Sequence, residues 1–186
     1  MSTAIAPDVG EVEVKYRMAD DQASRLVAAL AAAGVVLGEP FGQDDQAYAP
    51  ASWSYGMSKI GVSFARLRSQ GGRVLFTVKV PRANELDCAE QETVVEHRSA
   101  MHEALLLMGM VPTVRIVKVR RTGSWDGAQL CIDEVEGLGT FIELERVVAS
   151  SVAELVQAEM DRQVRSLGVP VQRVTQTYDS LLRAVR

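Results

Sequence analysis

The chain is poor in the residues that most often announce a chemistry. It has only two cysteines, Cys88 and Cys131, with no metal-type spacing between them. A disulfide framework and a thiolate metal site are therefore excluded. Two buried reduced thiols are expected, and with them a cytoplasmic location. His97 and His102 are the only histidines, and no Ser-His-Asp or His-rich metal spacing surrounds them. Both are expected at a sheet-to-helix junction on the surface. A basic excess is missing too: the formal net charge is −4, which argues against a nucleic-acid partner. The longest apolar run, LVAALAAAGVVL (26–37), falls short of the ~20 residues a membrane span needs, so no membrane role is expected. The first ten residues lack a basic n-region and an apolar h-region, so no secretory leader is expected. The GLG at 137–139 lacks the GxxxxGK[ST] pattern and no helix follows it directly, so it reads as a hairpin turn.

What is present is enough apolar material for one domain spanning 1–186: 47% of residues are hydrophobic, and no repeat or low-complexity tract divides them. Strand patterns dominate. Strands are predicted at 11–17, 63–69, 73–80, 87–96, 113–121, 128–136 and 140–148, with Gly71-Gly72 turning a hairpin. Residues 42–62 read as strand edge and loop. A helix capped by Asp20 or Asp21 carries Leu26, Val27, Leu30 and Ala33 on one face and ends near Gly34. Another, near 98–109, aligns Met101, Ala104, Leu105 and Met108. Ser151 and Glu154 form a capping-box pair for a third helix, closed by Gly168 and Pro170, and TYDSLLRAV forms a short fourth. The class is mainly β, antiparallel, with helices packed against the sheet.

The strands share an unusual feature. In EVEVKYR, Val12, Val14 and Tyr16 take one face, while Glu11, Glu13, Lys15 and Arg17 take the other. The same alternation sets Arg66 and Arg68 against Ala65 and Leu67, and Lys79 against Val78 and Val80. It also sets Lys118 and Arg120 against Val117 and Val119, Asp133 against Ile132, and Glu143 and Glu145 against Ile142 and Leu144. Glu90, Glu92 and Glu96 share a parity in the fifth strand. An ordinary wet face mixes in Ser, Thr and Gln, whereas here full charges repeat at i and i+2 and the signs segregate. A closed sheet would turn these rows inward, and such a lumen needs partners for its charges. Divalent cations for the carboxylates and a polyanion for the bases would supply them.

Taken in order, EVEVK (11–15), ARLR (65–68), TVK (77–79), VKVRR (117–121) and DEVEGLGTFIELE (133–145) resemble the CYTH superfamily, or triphosphate tunnel metalloenzymes. That group includes class IV adenylate cyclases and thiamine triphosphatases. EVEVK matches the family's ExExK signature, and TYDSLL is similar to its closing helix. The resemblance implies an eight-stranded antiparallel closed barrel around a charged tunnel, with helices outside. It also implies roles. Glu11, Glu13, Glu143 and Glu145 match metal-site carboxylates, Asp133 a further acidic position, and Glu92 an additional one. Lys15, Arg66, Arg68, Lys79, Lys118 and Arg120 match triphosphate-binding bases. Mg²⁺ or Mn²⁺ is the implied cofactor, since hard cations take oxygen ligands.

The implied function is a metal-dependent enzyme acting on a triphosphate, first a cyclase converting ATP to cyclic AMP and pyrophosphate. Hydrolysis of thiamine triphosphate, a nucleoside triphosphate or tripolyphosphate is the alternative, and a binding module without turnover is a third. A homodimer fits this group. Two departures bear on the choice. Ile5 and Ala6 stand where class IV cyclases carry His-Phe. Gln43, Asp45 and Tyr48 resemble a QxDxY element with one extra residue before the tyrosine. Trp53, Tyr55 and Lys59 are expected in loop packing, with a place over the tunnel mouth as the alternative; Asp44 and Asp45 are expected in a surface turn, with approach to a metal as the alternative, and Arg115 and Arg121 in solvent.

Overall fold

The computed structural model describes residues 9–185, the side chain of Asp20 excepted. Ile5 and Ala6 lie outside that range. Among the described residues the strands are β1 (Val9–Met18), β2 (Phe41–Pro50), β3 (Phe64–Gln70), β4 (Arg73–Pro81), β5 (Asp87–Val95), β6 (Met110–Trp125), β7 (Ala128–Val135), β8 (Gly139–Ala149) and β9 (Val171–Val174). The helices are α1 (Ala23–Ala32), α2 (Arg98–Leu107), α3 (Ala153–Ser166) and α4 (Tyr178–Ala184). The antiparallel order is β5-β4-β3-β2-β6-β7-β8-β1, and β1 pairs back onto β5 through Glu11 opposite Cys88 and Val12 opposite Asp87. Eight strands thus form a ring. β9 adds to β1 beyond that closure, from Lys15 to Met18.

Period-two alternation decides which side chains enter the ring. Val12, Val14, Tyr16, Leu130, Ile142 and Leu144 point outward and are buried beneath Leu26 and Leu30 of α1 and Met160 and Val164 of α3. Tyr16 also donates its hydroxyl to Asp161 on α3. On the opposite wall, Leu105 of α2 covers Tyr48, Ala65 and Leu67. With the outer face covered by helices, the alternate residues have only the interior left. Gly71 and Gly72 both take positive φ, as a tight hairpin turn requires. Gly137 and Gly139 do the same between β7 and β8.

Several local expectations are corrected. Residues 41–50 form a full strand between β3 and β6. Its inward side carries Gln43 and Asp45 and its outward side Asp44 and Gln46, so neither face shows the apolar repeat by which strands are read. β9, four residues long, was not anticipated. Neither predicted N-cap forms: α1 begins after Gln22 and α3 after Val152, both without a side-chain cap bond. A 3-10 turn precedes each helix, and Ser151 sits inside the one at Ser150–Val152. Val27 and Met108 are exposed at 41% and 64%, so the buried faces are narrower than the pattern implied. Glu96 lies past the end of β5, its side chain solvated. His97 is exposed, as expected, whereas His102 meets the Tyr48 hydroxyl at 2.8 Å through Nδ1. Arg115 faces out but forms a forked pair with Asp44 at 2.7 and 2.8 Å, and Arg121 donates to the Gly38 carbonyl. Among the described residues no helix is long and apolar enough to cross a membrane.

These assignments set a contrast in stability. Leu144→Ala, at a fully buried position, should cost about 2–5 kcal/mol in urea denaturation. Ser151→Ala should stay within about 0.5 kcal/mol, because the hydroxyl caps nothing.

Candidate active site inside the ring

The inward rows enclose a cavity of about 290 Å³. Every charged residue singled out by its strand parity and family match lines it, except Asp133. Register brings the two acidic strands together: Glu13 lies opposite Glu145, and Lys15 opposite Glu143. Strands β3, β4, β5 and β6 bring Arg66, Arg68, Lys79, Glu90, Glu92, Lys118 and Arg120 into the same space.

One half of the cavity is dry and rich in bases. Lys15 Nζ sits 2.9 Å from Glu13 and 3.1 Å from Glu143. Arg120 forks onto Asp133 with two 2.6 Å bonds, reaches Glu143 at 2.5 Å and Glu145 at 3.4 Å. Lys118 donates to Asp133 at 2.7 Å, and the Tyr178 hydroxyl adds a 3.0 Å bond. Asp133 is wholly buried and accepts all these donors. It is therefore drawn into holding the bases in place and does not line the cavity, sharing Arg120 with Glu143. Burial opposes ionisation of Glu143, yet Lys15, Arg120 and Lys118 hold its carboxyl well below the usual range. Burial, with Arg120 beside it, lowers the Lys118 ammonium, whereas Lys15 is raised, because Glu13 and Glu143 outweigh its desolvation.

The other half is wetter and holds an acidic cluster. Oxygens of Glu11, Glu13 and Glu145 lie within 4.8 Å of one another. Side-chain exposure rises from 3% at Lys15 and Lys118 to 24% at Glu11, 29% at Lys79 and 38% at Glu92, so the cavity opens on this side. Lys79 bridges Glu11 (2.9 Å) and Glu90 (2.5 Å), and Arg66 reaches Glu92 (3.3 Å) and Thr77 (3.1 Å). The donor set fits a hard divalent cation, since three carboxylates converge. Burial pushes the Glu145 carboxyl up to about 7, and its neighbours Glu143, Glu11 and Glu13 add to the rise against the pull of Arg120. A cation at this cluster would relieve that repulsion.

The family model for the CYTH domain matches residues 10–178. The chain belongs to the CYTH family. A Methanocaldococcus jannaschii protein provisionally named an adenylate cyclase is 27% identical over 107 residues, covering 56% of this chain. The match spans 61% of that relative's length. Among solved structures, a Pyrococcus horikoshii protein superposes with a TM-score of 0.78 at 24% identity, covering 95% of this chain and 99% of the other. A Hippeastrum protein named as an adenylyl cyclase, and described as having a dominant triphosphatase activity, superposes with 0.61 at 16% identity, covering 95% of each chain. At these identities the structural likeness is one of fold.

Reading the sequence missed several residues of this CYTH tunnel. Asp45, expected in a surface turn, is buried and receives a forked pair from Arg68 at 2.7 Å and 2.7 Å. Its parity signal was hidden because β2 was not read as a strand. Gln43 bonds Gln70 at 2.6 Å. The extra residue before Tyr48 leaves Ala47 at the inward position, while Tyr48 turns out beneath α2. Trp53 packs on Phe64 and Tyr55 as loop packing predicts, yet it also lines the cavity, as does Lys59. Both cysteines are buried and reduced, and burial pushes the Cys88 thiol up to about 12.

The elevated Glu145 carboxyl predicts proton-linked metal binding. Below about pH 7 the group is protonated in the metal-free protein, so binding must expel that proton, and Mn²⁺ affinity should fall as pH drops through 7. Calorimetry in two buffers of different ionisation enthalpy should record proton release at pH 6.5. Glu145→Gln should abolish that release.

Proposed function

We propose that this CYTH chain is a divalent-metal-dependent enzyme acting on a triphosphate, with cyclisation of ATP to cyclic AMP and pyrophosphate as its reaction. The observation that carries the reading is the polarity of the cavity. Bases crowd its dry end, while the acidic cluster lies toward the opening. A triphosphate whose tail is held by Lys15, Lys118 and Arg120 would then have the phosphate nearest its nucleoside beside Glu11, Glu13 and Glu145. That is the α-phosphorus, the atom attacked in cyclisation. The adenylate cyclase name of the Methanocaldococcus relative agrees with this order.

The residues divide the work. Arg120 presents a planar fork to non-bridging oxygens, and Lys15 and Lys118 add point charges. Arg66, Arg68 and Lys79 line the remaining wall and neutralise the chain along its length. Asp133 and Asp45 hold Arg120 and Arg68 extended, so little reorganisation is needed when the anion arrives. Glu11, Glu13 and Glu145 would hold Mg²⁺ or Mn²⁺, which supplies Lewis-acid charge neutralisation at the phosphoryl group. The ribose 3′-hydroxyl attacks in line, and pyrophosphate leaves as one unit still bound by the bases.

Hydrolysis is the second reading, and β2 favours it. Ala47 offers no polar side-chain atom, Asp45 is engaged by Arg68 and the Tyr48 hydroxyl by His102, so the cavity-lining residues of this strand leave no free polar side chain for a ribose. The triphosphatase description of the Hippeastrum neighbour points the same way. A module that only bound anions would be weakened by the three clustered carboxylates, which repel its ligand.

Incubation with ATP, thiamine triphosphate and tripolyphosphate, each with Mg²⁺ or Mn²⁺, separates the readings. Cyclic AMP with equimolar pyrophosphate is the expected outcome. ADP with orthophosphate, or equal turnover of tripolyphosphate, would replace cyclase with triphosphatase. Glu13→Gln and Glu145→Gln, which each remove a carboxylate from the acidic cluster, should lose roughly 10²–10³-fold in kcat, measured by product chromatography. Retained activity in either variant, or in excess chelator, would remove the metal-dependent reading. Tripolyphosphate at a hundredfold excess over its Kd should add about 2.7 kcal/mol to unfolding stability. Equal protection by orthophosphate would point to a loose basic surface.

A further inference from the structure

Beyond Lys15 and Lys118 the interior changes character. The positions that continue three of the charged rows are apolar, Ile116 on β6, Val135 on β7 and Phe141 on β8, while β1 continues with Arg17, whose guanidinium lies 5.2 Å from the centroid of the Phe141 ring. α4 lies against them, with Tyr178 and Leu182 in the same cluster. Tyr178 stands at the boundary between the two regions. Its ring meets Phe141 edge-on at 5.1 Å and lies under the Lys15 and Lys118 ammonium groups, 4.3 and 4.9 Å from its centroid. Its hydroxyl donates to Asp133.

A second residue seats this helix. Lys59, from the β2–β3 loop, is 6% exposed. Its Nζ donates to Thr177 Oγ1 at 2.6 Å and Ser180 Oγ at 2.7 Å. It also pairs with Asp179 at 3.1 Å and with Glu85 of the β4–β5 loop at 3.2 Å. One buried ammonium therefore ties α4 and two loops into a roof over that end of the cavity.

We infer that Tyr178 is a stop that sets how deep a phosphate chain enters, so that the reacting phosphorus is counted from the tail of the substrate. The inference rests on the triphosphate reading above. A phosphate pushed past the ring would leave the Lys15 and Lys118 ammonium groups and have its oxygens desolvated among Ile116, Val135 and Phe141, with the Arg17 guanidinium already laid over the Phe141 ring. Held at the ring, it meets two ammonium groups whose charges the π face already steadies. The acidic cluster belongs to β1 and β8, and close packing keeps its distance from the stop constant. A longer phosphate chain must then carry its nucleoside further out of the opening. Tyr178 is thus a determinant of cleavage register.

The test compares ATP with adenosine 5′-tetraphosphate and identifies the released phosphate fragment by ³¹P NMR and chromatography. Counting from the tail, the wild type releases the same fragment from both. Under cyclisation this is pyrophosphate from each, the tetraphosphate also yielding ADP, since water must replace the withdrawn ribose hydroxyl at the attacked phosphorus. Under hydrolysis it is orthophosphate from each. Tyr178→Ala removes the stop and Lys59→Met unseats its helix. Each should shift part of the tetraphosphate product by one phosphate, to tripolyphosphate with cyclic AMP or to pyrophosphate with ADP. A destabilised fold would lower both products without changing their ratio. If Tyr178→Ala fails to fold by circular dichroism, Lys59→Met decides alone. A wild type that releases a fragment one phosphate longer from the tetraphosphate overturns the stop, as do folded variants that keep the wild-type register. A wild type that turns over none of ATP, adenosine 5′-tetraphosphate, thiamine triphosphate and tripolyphosphate refutes the triphosphate reading itself.

Discussion

The structure depends on one constraint: a ring of strands that turns its charges inward must pair nearly all of them inside a cavity of about 290 Å³. Removing one member of a buried pair leaves an uncompensated charge, at a cost of about 3–5 kcal/mol. Arg120 shows the solution. Its guanidinium engages Asp133, Glu143 and Glu145, so three carboxylates from two strands share one base. Asp133 in turn collects Arg120, Lys118 and Tyr178. The network is closed at its dry end and left incomplete at the opening, where Glu11, Glu13 and Glu145 crowd one another. That unbalanced cluster is where a cation would be gained.

The outer layer makes this arrangement affordable. Helices α1 and α3 bury the outward valines, leucines and tyrosine of β1, β7 and β8, and α2 covers β2 and β3. Burial of this apolar face contributes the stabilisation that the interior cannot. It also holds register, because a one-residue slip would exchange the two faces of every strand. The acidic site is precise for the same reason: Glu13 and Glu145 face each other because Val14 and Leu144 cannot leave the helices beneath which they pack.

The limits of reading by pattern are instructive at three places. β2 was obscured because it has polar residues on both faces, and with it went Asp45, whose pairing with Arg68 appears only once β3 lies beside it. The caps failed because 3-10 turns moved the helix starts past Asp21 and Ser151, a choice made by how each chain segment leaves its strand. The inward parity of Ile116, Val135 and Phe141 was available in the same segments as the charged rows. It went unread because an apolar residue on a strand carries no sign of which side it faces once both sides hold apolar groups.

Alternation by itself determined that charges and hydrophobes would separate onto opposite faces, that the chain would be mainly β in class, and which ionisable residues would share a face. Those properties are local, since a strand's side chains point up or down whatever its neighbours do. Tertiary structure alone decided which charges meet. Closure of β1 onto β5, which pairs Glu11 with Cys88 across 77 positions of chain, put the acids of β1 beside Lys79 and Glu90. It also decided that Asp133 would serve the bases, and that α4 would end the cavity at Tyr178. Coulomb pairing depends on distances of a few ångströms across strands remote in sequence, and only closure of the ring sets those distances.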